Sequence, residues 1–241
     1  MRRVILLVNF LAVFLFLTSA SAQVFETDMI KTSAGDLQIT FIGHASLIFS
    51  IGGKVIHVDP VGRYADYANL PKADIILVAH DHSDHFDSKA IGAISTDKTA
   101  LVLTQTCAPQ IQGGVVMNNG DVKTIEGFKI EAVPAYNIVK KRPDGNLFHP
   151  KGIGNGYVIT FGDKRVFIAG DTENVPEIKE LKGIDIAFLP MNAPTMTPEM
   201  LIDAAKAIKP KILYPYHLSD SNTNPIIHPL INDMEVRIRK M

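Results

Sequence analysis

Cysteine is nearly missing from this chain. Cys107 is the only one in 241 residues, which excludes an intramolecular disulfide and any zinc site built on two or more thiolates. In the context Cys-Ala-Pro it reads as a small residue packed near a turn. Tryptophan is absent and aromatic residues make up 7% of the sequence, so nothing suggests a base-stacking platform. Lys and Arg number 24 against 25 Asp and Glu. No basic stripe stands out, which argues against a nucleic-acid partner. No low-complexity linker and no repeat of 20–50 residues interrupts the chain. No Ser-His-Asp arrangement or phosphate-cradling Gly loop competes either, because GIGNG (152–156) precedes a strand pattern rather than a helix. What remains, at 46% hydrophobic and 20% charged residues, is one substantial globular domain.

The start of the chain is set apart from that domain. Arg2 and Arg3 precede the apolar run VILLVNFLAVFLFL (4–17), and TSASA (18–22) then supplies small residues ending in an A-x-A site. This is the pattern of a signal peptide over 1–22, with cleavage before Gln23. The run is short for a membrane span. The expectation is therefore an exported protein, periplasmic or secreted, with no stable membrane span after cleavage and a single domain over 23–241.

The rest reads as strands first, helices later, twice over. LQITFIG (37–43) and ASLIFSI (45–51) lead through Gly52-Gly53 into KVIHVDP (54–60), a hairpin pattern. DIILVA (74–79) is nearly all apolar, as a strand buried on both faces should be. A short helix is expected over 88–95 and a strand over 100–104. In the second half, strands are expected over 128–134, 156–161, 164–171, 185–190 and 211–217. Helices are expected over 175–182 and from the Thr197 N-cap to about Ile208, with a helical tail from Pro229. This predicts an α/β (α+β) fold: two mixed β-sheets with helices on the outer faces, a four-layer αββα sandwich.

Candidate ligands collect after those strands. HDHSDH (80–85) follows DIILVA, Asp171 follows RVFIAG, His217 follows KILYPY, and Asn137 follows FKIEAVPAY. Ligand sites in layered α/β folds gather at such strand ends. Residues i and i+2 of an extended segment point the same way, so His80 and His82 can grip one ion. Asp84 and His85, beyond the bend, can address a second. Imidazole and carboxylate suit Zn²⁺, with Mn²⁺ or Fe²⁺ as options, at one or two ions.

The H-x-H-x-D-H motif, the lone Asp171 in GDT and the late His217 together resemble the metallo-β-lactamase-fold hydrolases. With FIGHASLIF (41–49), VDP (58–60), AGDTE (169–173) and YPYH (214–217), the chain looks most like one branch of them. That branch holds ascorbate-6-phosphate lactonase and N-acyl phosphatidylethanolamine-hydrolysing phospholipase D. The resemblance spans roughly 37–217. It implies a first ion on His80 and His82, a second on Asp84, His85 and His217, and Asp171 bridging both. It also implies a third histidine after FKIEAVP, where this chain has Asn137, a neutral and weaker ligand that would favour a harder ion. His149, in the following loop, is the other group that could swing in, although the pocket rim is the stronger expectation for it.

The implied function is lactonase-like hydrolysis: a metal-bound hydroxide cleaving an ester, lactone or phosphodiester bond in a small molecule or lipid. Asp84 would ligate and help orient the water or shuttle its proton. Asp59 is expected behind the ligands, orienting them. His44 either lines the pocket or hydrogen-bonds within a tight turn, while His57 and His228 are expected to be structural and superficial. The rival reading is a non-catalytic metal- or ligand-binding module whose first metal site has decayed, and Asn137 is the one feature that favours it.

Overall fold

Alternation along the strands decides how many layers this chain fills. In the computed structural model, which describes residues 23–218 and 221–241, successive strand residues face two different cores. Ile75 and Leu77 join a central cluster, whereas Ile76 and Val78 join an outer one. Ile186 and Phe188 face the centre while Ala187 and Leu189 face the other outer cluster. Runs that are apolar throughout are thus apolar on both faces, each for its own core. The leader-like segment 1–22 lies outside the described residues. Among the described residues no helix is long and apolar enough to cross a membrane.

Two seven-stranded sheets result, each in strict chain order. The first comprises β1 (Glu26–Thr32), β2 (Gly35–Gly43), β3 (Ser46–Ile51), β4 (Lys54–Val58), β5 (Ile75–Leu77), β6 (Ala100–Leu103) and β7 (Val115–Val116). The second comprises β8 (Val122–Ile125), β9 (Phe128–Ala135), β10 (Gly154–Phe161), β11 (Lys164–Ile168), β12 (Ile186–Pro190), β13 (Ile212–Tyr216) and β14 (Glu235–Val236). In both, four antiparallel strands are followed by three more paired in parallel. The helix α1 (Ser88–Ile94) packs on the outer face of the first sheet through Ala90, Ile91 and Ile94. On the second sheet's outer face lie α2 (Pro176–Lys179), α3 (Pro198–Ile208) and α4 (Asn224–Leu230). The expected αββα layering is therefore present.

Several local expectations shift. The segment 175–182 forms only one helical turn, α2. The tail beyond Pro229 is not helical: α4 ends at Leu230 and β14 follows, pairing in parallel with β13. β10 begins at Gly154, inside GIGNG, where it pairs with Ala135 of β9, and Gly156 lies tight against the backbone at the end of β11. A Cβ there would stand 2.7 Å from the Ala169 carbonyl oxygen. β1 escaped the sequence reading because only Ile30 of its seven residues is buried. As predicted, Thr197 caps α3, its hydroxyl accepting from the Met200 N–H.

A candidate metal centre at the strand ends

The C-terminal ends of β2, β4, β5, β11 and β13 converge on one edge of the sandwich and deliver His44, Asp59, the 80–85 segment, Asp171 and His217. Three of these residues leave their strands with a left-handed backbone: His44 (φ 56°), Asp59 (φ 45°) and His217 (φ 54°). Such conformations cost a non-glycine residue roughly 1–3 kcal/mol and concentrate at functional sites. Here they turn side chains at strand ends back toward the cleft. Asp171 is placed by the preceding Gly170, whose N–H donates to the buried Tyr216 hydroxyl at 2.8 Å. A Cβ on Gly170 would meet the Asn155 carbonyl oxygen at 2.8 Å. Asn155 in turn donates its N–H to the Ala79 carbonyl, and Tyr157 donates to that of Val78. The second sheet thereby holds the base of the histidine-rich segment.

Asp171 sits at the middle. Its Oδ1 lies 3.2 Å from His85 Nε2 and 3.3 Å from His217 Nε2. Its Oδ2 lies 3.3 Å from His149 Nε2 and 3.9 Å from His80 Nε2. His82 Nδ1 is 3.3 Å from His149 Nε2. Asp84 Oδ2 lies 3.9 Å from His217 Nε2 and 3.2 Å from His44 Nε2. The ligand atoms fall into overlapping groups: His80, His82 and His149; His80, His85 and Asp171; His44, Asp84, His85 and His217.

The chemistry of this donor set fits divalent metal ions. Four of the atoms named, His80 Nε2, His85 Nε2, His217 Nε2 and Asp171 Oδ1, are buried with no hydrogen-bond partner, an arrangement that is costly unless something else satisfies them. Tetrahedral ligands about 2.0–2.1 Å from a common ion are spaced about 3.3 Å apart, which matches the 3.2–3.3 Å contacts around Asp171. Burial pushes the His80, His149 and His217 imidazoles below their usual value, the last two to about 4, keeping ligand lone pairs free at neutral pH. Burial alone would raise the Asp171 carboxyl, but the flanking His85 and His217 hold it well below the usual range. Burial would likewise lower His85, yet Asp171 and Asp59 on either side raise it. An ion entering there displaces that proton.

Behind the donors stands a set of anchors. Asp59 is fully buried; its Oδ2 accepts from His85 Nδ1 and its Oδ1 from the Ala79 N–H, both at 2.7 Å. That fixes the His85 tautomer and presents Nε2 to the cluster. His44 does both things considered for it. It forms the tight turn, its carbonyl accepting from the His217 N–H, and its ring lies 3.7 Å from that of His217. His57 is buried away from the cluster, with Nε2 3.0 Å from the Pro71 carbonyl. His228 lies in α4.

The expectations for Asn137 and His149 are both revised. Asn137 Oδ1 accepts from His149 Nδ1 at 2.7 Å and from the His149 N–H at 2.9 Å. Its Nδ2 donates to the Pro194 carbonyl at 2.8 Å and to Glu173 Oε1 at 3.2 Å. The amide is thus committed within the protein and stands behind the cluster rather than in it. His149, expected at the rim, is 95% buried, and its Nε2 groups with the ring nitrogens of His80 and His82. Its position depends on Glu173, which the sequence reading left without a role. This carboxylate accepts from the N–H groups of Ile138, Val139 and Lys140, clamping the first residues of the loop that carries His149. The only sequence signal was its place in AGDTE.

The centre opens into a cavity of about 890 Å³ whose walls include His44, Arg63, Tyr64, Arg142, Asn192 and Met241.

The chain is similar to known proteins over most of its length. Residues 38–217 match the family model described as the Beta-lactamase superfamily domain. A UPF0173 metal-dependent hydrolase of Pelotomaculum thermopropionicum is 31% identical over 204 residues, covering 79% of this chain and 87% of the relative. One from Thermus thermophilus is also 31% identical, covering 79% and 86%. The crystal structure of a proposed metal-dependent hydrolase from Parabacteroides distasonis shares 46% identity. It covers 90% of this chain and all of that one, with a TM-score of 0.86. The metallo hydrolase Igni18 of Ignicoccus hospitalis, 22% identical with a TM-score of 0.67, shares the fold.

Proposed function

We propose, from the premise that this chain belongs to the metal-dependent hydrolases of the β-lactamase superfamily, that it cleaves an ester, lactone or phosphodiester bond of a small molecule or lipid at a centre for two ions. The observation that carries this reading is the division of labour within Asp171, whose Oδ2 addresses His149 and His80 while its Oδ1 addresses His85 and His217. His80, His82, His149 and Asp171 would hold the first ion; Asp84, His85, His217 and Asp171 the second. Five imidazoles and two carboxylates favour Zn²⁺, with Fe²⁺ or Mn²⁺ as the alternatives.

Ions held there would supply Lewis acidity toward a carbonyl or phosphoryl oxygen and would lower the pKa of a bound water toward neutrality. The chain supplies the rest. His44 Nε2 beside Asp84 Oδ2 holds the carboxylate that takes up and hands on a proton at the cavity floor. Asp59 and Asn137 fix the His85 and His149 rings so that neither must reorganise during the reaction. The decayed-site alternative rested on Asn137, and the grouping of His149 with His80 and His82 weighs against it. The lactone and phosphodiester options rest on the resemblance to the lactonase and phospholipase D branch. The leader-like residues 1–22 support a periplasmic or secreted address.

Metal content per chain tests the centre. The purified protein should carry two ions, and His149→Ala should retain one while keeping its fold. Turnover of generic ester, lactone or phosphodiester substrates should need the ions and vanish in Asp84→Ala. Two tightly held ions in His149→Ala would remove His149 from the ligand set. No turnover of any of these bonds with Zn²⁺, Mn²⁺ or Fe²⁺ would sink the bond assignment.

A further inference from the structure

Three of the described arginines, Arg165, Arg237 and Arg239, are each paired with a carboxylate, on Glu131 or Asp28. The two others, Arg63 and Arg142, have no ion pair among the described residues, and both line the cavity over the metal centre. They flank it from different sides. Arg142 Nη2 lies 3.3 Å from His82 Nε2, in the first half-site. Arg63 is followed in the chain by Tyr64, whose ring stacks on His44 beside Asp84 and His217.

Arg142 is not a loose surface side chain. Its Nη2 donates to the Phe148 carbonyl at 3.2 Å and its guanidinium lies 5.3 Å from the centre of the Phe148 ring. Its backbone is held in a turn by the Arg142 N–H to Asn146 carbonyl bond. A second constraint comes from His82. A neutral imidazole offers one lone pair. Because Nδ1 faces His149, a His82 that ligates through Nδ1 must carry its proton on Nε2. It then accepts nothing from Arg142, whose N–H is left for a ligand. Arg63 is steadied through its neighbour, since the Gly62 N–H donates to Asp87 Oδ2 at 2.9 Å. Asp81 also lines this wall and stands in no ion pair with either arginine.

Resting on the hydrolase reading above, we infer that the substrate carries an anionic oxygen group, a phosphate or a carboxylate, bound by the fork of Arg142 beside the first half-site with Arg63 drawing it in from the other flank. Guanidinium matches both oxyanions with paired N–H groups. Unpaired cations over a site that already takes dications disfavour a cationic substrate, give a neutral one nothing, and select for an anion.

The test uses the zinc-loaded full chain and compares wild type with Arg142→Ala, Arg142→Lys and Arg63→Ala at matched metal content and melting temperature. Inorganic phosphate and propionate are titrated separately by calorimetry. Arg142→Ala should weaken binding of at least one anion by roughly tenfold to a hundredfold, the range for a charge-assisted hydrogen bond. Arg142→Lys, which keeps charge and loses the fork, should recover part of that, and Arg63→Ala should weaken it less. A larger loss for phosphate identifies a phosphate-bearing substrate, and a larger loss for propionate a carboxylate. Binding of both anions within twofold of wild type in Arg142→Ala overturns the inference. In kinetics, the ratio of kcat/KM for bis(4-nitrophenyl) phosphate to that for neutral 4-nitrophenyl acetate should fall at least tenfold in Arg142→Ala, through KM. An equal loss on both substrates would make Arg142 merely structural and also overturn it. Absence of all turnover in wild type would defeat the hydrolase reading alone, since the anion titrations do not depend on it.

Discussion

Asn137→Ala probes the centre most directly. The Asn137 side chain is fully buried and makes four hydrogen bonds, two accepted from His149 and one donated to each of Glu173 and Pro194. At about 1 kcal/mol net per bond, with two of the partners left buried and short of a bond, the loss of stability should be about 3–5 kcal/mol. The loss in metal affinity is a separate quantity. Releasing Nδ1 frees the His149 ring to rotate and to choose the other tautomer, and such anchors behind a ligand are worth 10–100-fold, or about 1.4–2.8 kcal/mol. Only the first half-site should suffer, because His85 and His217 do not touch Asn137. Urea unfolding measures the first effect, and stepwise competition with a chromogenic chelator the second. Asn137→Asp separates them: it keeps the acceptor for His149 and retains first-site affinity, but sets a second carboxylate against Glu173 and loses stability. If Asn137→Ala keeps both ions with wild-type affinity, then the assignment of His149 as third imidazole, held by Asn137, is wrong.

Other outcomes follow from neighbouring anchors. Asp59→Asn puts an amide where two donors, His85 Nδ1 and the Ala79 N–H, both need an acceptor. It should weaken the second half-site about 10–100-fold with the first unchanged, again by chelator competition; a second-site affinity equal to that of wild type would refute it. His57 gives a pH signature away from the ligands. Burial lowers its folded value to about 4 from 6.5, so the folded protein holds it neutral while the unfolded chain takes up a proton first. Its contribution is complete above pH 6.5 and declines as pH falls toward 4, with a total of about 3 kcal/mol. Wild type should therefore lose about 2 kcal/mol more than His57→Gln between pH 7 and pH 5 in urea unfolding. Parallel curves for the two proteins would show that His57 is not the group responsible.

Much of this centre was legible in the sequence because its ligands follow apolar strands. H-x-H-x-D-H is local, and Asp171 and His217 each stand just beyond a run that can only be a buried strand. His149 carries no such mark. It arrives from the long loop between β9 and β10, and its inward pose depends on Asn137 and Glu173, residues distant from it or from each other in the chain. Position 137 reads as a ligand because it follows β9 where a histidine is expected, whereas the folded chain turns its amide to His149, Glu173 and Pro194. Arg63 and Arg142 were invisible for another reason: what marks them is the absence of a carboxylate, which only the folded arrangement reveals. The edge strands β1 and β14 were missed because edges bury little. β1 buries only Ile30, and β14 is two residues long.

The strictly sequential order of the two sheets bears on how the molecule is held shut. The first sheet is drawn from residues 26–116 and the second from 122–236, so each is one uninterrupted stretch of chain. His80, His82, Asp84 and His85 come from the first stretch, and His149, Asp171 and His217 from the second. With the ligand sets proposed above, each ion is bonded to both stretches and acts as a rivet across the seam. Binding energy at the centre is then adhesion between the halves. A chelator would strip away a clasp along with the chemistry, and two separately made halves of this chain would have, in the metal, a reason to find each other.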